Sequence, residues 1–388
     1  MGDPPADKLI SELFDAHGHE GVGQLMADLL DSEWVGVGEV GAKAEAFLTA
    51  ERESGFSDAT HVAATLEAGQ AVFAEHGPEI ILILGCYSLP AAYAAANGVK
   101  VLRQTDYLTN QPNRRLIETA QIIVDVMQPG GLEAGGIGQR SAEKTRIMHA
   151  AIRHLILHRP DQPWDTGAFG VPINQEDLAA TLMTFAFIAI DGLDKMHITT
   201  TQAERDSYLA AWREVGRIMG VAPELLPASF THAEQLTRAI QADQVLSGIP
   251  PSDPRWDDGK LMTVPLLGVL DSKMLPGVPA ALMRLFLPVD VANVLGVPRR
   301  PIFDRIIHGI VRAFGWLDRK LLERFSRRSR VLRHLSLDLL QMMLDWERGG
   351  SRQPFRIPDS LNWYEQAGSK PTLGQRVLTR SASLSTRG

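Results

Sequence analysis

Residues 114–127 read RRLIETAQIIVDVM, an uninterrupted run of helix-forming residues that is followed closely by Pro129-Gly130-Gly131. Proline and consecutive glycines stop a helix, so the run predicts a helix from Leu116 to Met127. Comparable runs predict helices over residues 58–75, 141–158, 175–193, 201–219, 230–244 and 299–346, and a short element over residues 223–226. Strand-like alternation is rare and no fixed-period repeat occurs, so the sequence indicates the all-α class.

Composition narrows the classes of function. The chain has 388 residues, of which 45% are hydrophobic, and its formal net charge is −7. A large core is therefore expected, and a protein that binds nucleic acid through phosphate contacts is not. The single cysteine, Cys86, excludes an intramolecular disulfide and a cysteine-based zinc site. The N-terminal sequence MGDPPADKL is not a secretory signal, although an export signal removed earlier stays open.

Three other stretches have a functional and a structural interpretation. The uncharged residues 80–99 resemble a membrane span in length, but Gly85 and Pro90 favour a helix end, a turn and a second buried helix. The sequence GVGEVG at residues 36–41 matches a dinucleotide-binding pattern without the buried strand that such a site needs before it. The basic residues 319–333 are typical of a solvated helix face, with an anionic surface as the alternative partner.

The best candidate for cofactor binding is KTRIMHAAIRH, residues 144–154. Arg146, His149 and Arg153 are spaced i, i+3 and i+7, so they share one side of a helix. Haem needs one imidazole on a helix, a dry pocket and polar groups for its periphery. We expect Ala150 and Ala151 to leave room beside His149 for a flat ring. An ordinary surface helix with a basic stripe is the alternative, and His154 and His158 are rival ligands.

Two further segments carry polar residues at helical spacing. Arg115, Glu118 and Thr119 fall on one face and predict a polar site, or else a surface Arg–Glu pair. The segment PINQEDLAATLMTF, residues 172–185, begins with a helix cap and an acidic first turn. Its later residues, which include Thr181, predict the lining of a hydrophobic cavity or part of the core.

Taken together, RRLIETAQIIVDVM, KTRIMHAAIRHL and PINQEDLAATLMTF resemble the latex-clearing protein (rubber oxygenase) family, within the wider group of MpaB-like haem oxygenases. The resemblance covers the middle third of the chain. It implies a globin-like helical core with additional N- and C-terminal helices and one haem b. It also implies an oxygenase that uses O₂ on a hydrophobic isoprenoid.

The resemblance assigns roles to individual residues. It implies that His149 is the proximal iron ligand and that Arg146, Arg153 and Thr181 lie beside the haem. It further implies that Arg115 and Thr119 lie on the distal side.

Two positions depart from the family pattern. Glu118 stands where well-known members have a lysine that can occupy the sixth position of the iron. An upstream glutamate is missing too, since Asp106 is the only acidic residue between Glu79 and Glu118. We therefore predict that Glu118 is the distal group that handles a proton.

The resulting prediction is a haem b dioxygenase that cleaves C=C bonds of polyisoprene or a related isoprenoid to aldehyde and ketone products. Its alternatives are an MpaB-like oxygenase or peroxidase on another hydrophobic small molecule, and a non-catalytic haem-based oxygen sensor or carrier. The predicted parts are an N-terminal helical extension (1–57), a haem-binding oxygenase domain (58–348) and a tail (349–388). Neither a nucleic-acid partner nor a membrane span is expected.

Overall fold

The structure, a computed structural model of the chain, describes residues 1–28, 38–54, 59–104, 112–160, 162–244 and 255–325. Within its helices, the side chains of residues 54, 59–63, 96, 115, 255 and 316–325 lie outside this description. The secondary-structure elements of the described ranges are helical, which confirms the predicted all-α class.

The helices are numbered here in chain order. They are α1 (Pro4–Asp28), α2 (Gly38–Ser54), α3 (Ala59–Ile83), α4 (Leu89–Tyr93), α5 (Ala96–Gln104), α6 (Pro112–Met127), α7 (Ile137–Leu157), α8 (Thr166–Phe169), α9 (Gln175–Lys195), α10 (Gln202–Ile218), α11 (Phe230–Gln244), α12 (Arg255–Lys273), α13 (Val278–Phe286), α14 (Val289–Val294) and α15 (Pro301–Phe325). A π-helical turn, Leu84–Ser88, joins α3 to α4, and a 3₁₀ turn, Pro223–Leu225, precedes α11.

Helix α9 shows why its predicted start was correct. The Asn174 side chain accepts hydrogen bonds from the backbone N–H groups of Glu176 and Asp177, at 2.8 and 3.1 Å. The Asp177 side chain accepts in return from the Asn174 N–H at 3.1 Å. This capping box satisfies backbone donors that the first turn would otherwise leave without partners. The predicted bounds of α11 and the observed Phe230–Gln244 are also the same.

The predicted start of α7 was wrong. Ser141 was expected to cap this helix, but the helix begins at Ile137 and Ser141 lies inside it. Its hydroxyl donates to Asp125 Oδ2 of α6 at 2.8 Å instead. The earlier start depends on Gly138, where an added Cβ would lie 2.5 Å from the Asp125 carbonyl oxygen. Glycine therefore lets α7 begin directly against the end of α6.

Residues 80–99 form the predicted helix end and turn, but two short helices follow the turn where one buried helix was predicted. Helix α3 ends at Ile83, the π-helical turn follows, and α4 and α5 continue the chain. The turn residues Leu84–Ser88 are all buried. None of the described helices has the length and apolar character needed to cross a membrane.

Two hydrophobic clusters surround α7. The larger core is built mainly from α3, α6, α9, α10, α12 and α13, and Phe73, Met127 and Trp212 are among its most buried side chains. A second cluster joins α1 and α2 to the side of α7 that carries Ile147, and Ile10 is among its fully buried members. The N-terminal helices α1 and α2 therefore pack against one side of α7. Both helices lie within the predicted extension 1–57.

Candidate functional site

A cavity of about 200 Å³ lies among α4, α5, α6, α7, α9 and α11. Apolar and small side chains make up most of its wall, and four of them, Ala91, Ala92, Ala95 and Gly98, come from α4, α5 and the two-residue link between them. The polar residues of the wall are Glu118, His149, Asp177, Thr181, Thr184, Thr237, Gln241 and Gln244. The site is thus an apolar space with a few polar groups, as in most small-molecule pockets.

His149 is part of this wall. It projects from the middle of α7 beside Met148 and Ile152, which also line the cavity. Ala150 and Ala151 do not supply the space that was expected beside it. Both are 1% exposed and belong to the second hydrophobic cluster, in which α1 and α2 pack against the other side of α7. The small residues of the cavity wall come from α4, α5 and the link between them instead.

The rival histidines lie elsewhere. The His154 ring stacks on Phe14 of α1 at a centroid distance of 4.2 Å and on His158 at 4.1 Å. Burial, with the nearby His158 and His19, lowers the pKa of His154 to about 4. Neither His154 nor His158 lines the cavity. Of the three candidate ligands, the structure brings only His149 to the site.

Arg146 is buried against the N-terminal segment. Its Nε and Nη2 atoms donate to the two carboxylate oxygens of Asp3, at 2.6 and 3.0 Å. Its Nη1 atom donates to Glu51 of α2 at 2.7 Å. A two-pronged pair of this kind fixes orientation as well as charge.

Arg153 repeats the arrangement two turns later and is 2% exposed on its side chain. It pairs with Asp7 of α1 and donates to the carbonyl oxygens of Pro172 and Ile173, at 2.9 and 2.7 Å. Arg146 and Arg153 therefore tie α7 to the N-terminal segment and to the loop before α9. Neither is part of the cavity wall.

Of the residues predicted on α6, the structure brings Glu118 to the cavity. Glu118 accepts a hydrogen bond from Arg114 Nε at 2.8 Å, so Arg114 is one intrahelical partner of this carboxylate. Thr119 is buried at 9% exposure and is not part of the wall. The side chain of Arg115 and the whole of Asp106 lie outside the described residues.

Thr181 lines the cavity as predicted for its segment, but its hydroxyl is already engaged. Thr181 Oγ1 donates to the Asp177 carbonyl oxygen at 2.8 Å, and Thr184 Oγ1 donates to the Thr181 carbonyl at 2.7 Å. These bonds point both hydroxyl hydrogens along α9 and leave oxygen lone pairs as the polar surface toward the cavity.

Asp177 is a cavity residue that the sequence analysis missed. Its side chain was interpreted only as part of a helix cap, yet it lines the cavity wall. Its Oδ1 atom lies 3.4 Å from Gln244 Nε2, and no described residue donates to the buried Gln244 Oε1. Burial raises the pKa of Asp177 to about 6. The spacing of Asp177, Thr181, Thr184 and Ile188 along one face of α9 was the available signal.

Asp177→Asn should stabilise the protein at neutral pH. A carboxyl group whose pKa is raised in the folded state stabilises the protein at pH values below its unfolded pKa of about 4. This stabilisation is lost as the pH rises through about 6. Above pH 6 the folded protein carries a buried carboxylate, which the amide removes. We expect a gain of about 1–3 kcal/mol in unfolding free energy at pH 7.5.

Urea unfolding at pH 4.5 and pH 7.5 measures this difference, which should shrink at the lower pH. Asp165→Asn, at the exposed cap of α8, is the matched control, because it makes the same substitution outside the core. Equal stability of the Asp177→Asn variant and the parent protein at both pH values would contradict the role of burial.

Comparison with known proteins gives three findings. Residues 63–319 match the family model of the catalytic domain of the ER-bound oxygenase mpaB/B′ and rubber oxygenase. The rubber oxygenase of Streptomyces sp. (strain K30) is 28% identical over 196 residues, which are 50% of this chain and 46% of that protein. The alignment thus spans about half the length of this curated relative.

The third finding concerns the fold. The solved structure of latex clearing protein LCP in the closed state superposes with a TM-score of 0.69 at 21% identity, covering 92% of this chain and 94% of that chain. The helical architecture expected from the resemblance is therefore shared over nearly the whole chain.

Proposed function

Because the chain belongs to the family of ER-bound mpaB oxygenases and rubber oxygenases, we propose that it is a haem b dioxygenase acting on C=C bonds of polyisoprene or a related isoprenoid. The observation that carries the proposal is the His149 imidazole in the wall of a mainly apolar cavity. The reaction adds both atoms of O₂ across one double bond, which breaks to give an aldehyde and a ketone.

The chemistry of the wall fits a haem. Within the described ranges, no three His, Cys, Asp or Glu side chains are grouped so that they could hold a bare metal ion. A single imidazole is sufficient to hold a porphyrin-bound iron, because the macrocycle would itself provide most of the ligands. The small residues Ala91, Ala92, Ala95 and Gly98 let a flat ring approach the backbone of α4 and α5.

When bound, the haem would supply the iron chemistry that activates O₂. The chain's own contribution is to hold the ring through His149, to surround the substrate with apolar walls and to keep water out. Arg146 and Arg153 would act as positioning residues, because their ion pairs with Asp3 and Asp7 fix the rotation of α7. His149 would then face the cavity without having to reorganise.

Glu118 is the proposed proton-handling group. Its carboxylate lines the cavity from α6, a different helix from the one that carries His149. The hydrogen bond from Arg114 Nε to Oε1 orients the carboxylate. Positioned acid–base groups typically contribute 10²–10⁴-fold to a rate.

Incubation with polyisoprene latex under ¹⁸O₂ tests the proposal. Mass spectrometry should find oligomers that carry one labelled aldehyde and one labelled ketone oxygen. Glu118→Gln should lower kcat by at least about ten-fold while the haem content is kept, because the amide preserves size and removes the proton acceptor. Glu67→Gln, on the exposed face of α3, is the matched control and should leave kcat unchanged.

One observation favours a second candidate, an oxygenase or peroxidase on another hydrophobic small molecule. Asp177 and Gln244 form a polar end of the cavity that a pure hydrocarbon cannot satisfy. A substrate with a hydroxyl group would donate to Gln244 Oε1, and an unsatisfied buried acceptor costs about 1–3 kcal/mol. No carbonyl products from polyisoprene, with turnover of a small terpenoid or phenol, would establish this alternative.

A further inference from the structure

Helix α15 exposes an unusual row of large apolar side chains. Ile302, Ile306, Ile310 and Phe314 are 77%, 55%, 58% and 49% exposed. They follow each other at four-residue intervals, so they form one continuous stripe along the outer face of the helix. Scattered apolar residues are normal on a protein surface, whereas a contiguous apolar row usually marks an interaction site.

The stripe cannot be buried by a small rotation of the helix, because the opposite face is already packed. Ile307 and Val311 contact the main core, and His308 Nε2 lies 2.9 Å from the Ala281 carbonyl oxygen of α13. An added Cβ at Gly315 would lie 2.3 Å from the Met196 carbonyl oxygen, so the helix backbone directly approaches the end of α9. The body of the protein therefore holds α15 in place with its apolar row outward.

The charges on this face have one sign. Between residues 301 and 315, the exposed charged residues are Arg305 and Arg312. Asp304 is buried and accepts a hydrogen bond from the Arg300 N–H at 3.0 Å, so it caps the helix and does not oppose the arginines. Beyond this point the sequence of the helix carries two acidic residues, Asp318 and Glu323, and three basic ones, Arg319, Lys320 and Arg324, whose side chains lie outside the described residues.

From this pattern we propose that the outer face of α15 docks onto an anionic lipid surface. An amphipathic helix with apolar residues on one side and arginines beside them lies in the plane of an interface, with its apolar side chains below the headgroups. The row from Ile302 to Phe314 spans twelve helical steps, or about 18 Å, so the whole stripe can enter at one depth. The arginines would then contact the acidic headgroups.

A second copy of the chain fits this face less well. Four side chains expose a few hundred Å² together, whereas a specific interface buries ~800 Å² on each partner. In a two-fold dimer through this stripe, Arg305 and Arg312 would also be brought close to their copies in the partner, with no exposed carboxylate between residues 301 and 315 to balance them.

Co-sedimentation of the full-length protein with vesicles tests the proposal. Vesicles of phosphatidylcholine with phosphatidylglycerol should bind the protein at low salt, and vesicles of phosphatidylcholine alone should bind it much more weakly. The double variant Ile306→Ser/Ile310→Ser should bind about ten-fold more weakly, since it removes the centre of the stripe. Arg305→Gln and Arg312→Gln should each weaken binding about five-fold, and added salt should have the same direction of effect.

Leu261→Ser/Val264→Ser is the matched control. These residues are 45% and 49% exposed on a different helix, α12, and their loss should leave vesicle binding unchanged. An equal loss in this variant, or no binding of the parent protein to acidic vesicles, would overturn the proposal. A dimer in sedimentation velocity that Ile306→Ser/Ile310→Ser converts to monomer would assign the face to a second copy instead.

Discussion

His149→Ala should purify essentially free of haem, whereas the parent protein should carry about one haem b per chain. His149 is the only histidine that the described part of the chain places in the cavity wall. The apolar residues around it offer no other nitrogen atom that could bind iron. Loss of a residue that hydrogen-bonds to a metal ligand typically weakens metal binding by ~10–100-fold. Loss of the ligand itself should therefore have a larger effect. Pyridine haemochrome analysis of the purified variant measures the effect.

His154→Ala is the matched control on the same helix. Its ring stacks on Phe14 and on His158, on the side of α7 that faces α1, and it lies outside the cavity. This variant should therefore keep its haem and its absorption spectrum, with some loss of stability. Full haem content and an unchanged spectrum in His149→Ala would show that the iron ligand has been assigned to the wrong residue.

Local sequence signals were sufficient for the starts of α9 and α11 and insufficient where packing decides. The capping box at Asn174 and the run of helix formers in α11 involve neighbouring residues, and both helices begin where predicted. The start of α7 depends on the contact between Gly138 and Asp125 of another helix. Ser141 looked like a cap because its hydroxyl can serve that purpose, but a distant carboxylate, Asp125, accepts its hydrogen bond.

The rotation of α7 was the main feature that the sequence left undetermined. Successive residues are turned by 100° around a helix, so Met148, Ile152 and His149 span about 100° of its circumference. These three line the cavity. The next positions around the circumference of α7 are those of Arg153, Arg146 and Ala150. They lie on the side of α7 that packs against the N-terminal segment of the chain. The i, i+3, i+7 spacing placed His149 beside both arginines, but it could not show that the boundary between two environments falls between them.

Asp177 was overlooked for a related reason. An acidic residue at the third position of a helix is accounted for by its role in the capping box. No further role was therefore inferred for Asp177. The same side chain nevertheless uses its other oxygen toward Gln244, which is 67 residues later in the chain. Only the packing of α11 against α9 brings these two residues to one cavity.

Arg153→Met should destabilise the protein by about 3–5 kcal/mol, the second large effect we expect. The substitution keeps an unbranched, apolar stem and removes a buried guanidinium that serves Asp7 and the carbonyl oxygens of Pro172 and Ile173. Breaking one side of a buried ion pair leaves the remaining groups without compensation, and this loss exceeds what the pair itself contributes. Urea unfolding followed by circular dichroism gives the free energy.

Arg238→Met provides the matched control, because Arg238 pairs with Glu234 on an exposed face of α11 and its side chain is 75% exposed. Exposed pairs contribute at most about 1 kcal/mol, so this variant should unfold almost as the parent does. The two measurements also distinguish two roles for Arg153. If it positions α7, Arg153→Met should lose stability in the haem-free protein as well as in the loaded one. Full stability without haem, together with loss of haem binding, would instead mean that Arg153 contacts the cofactor directly.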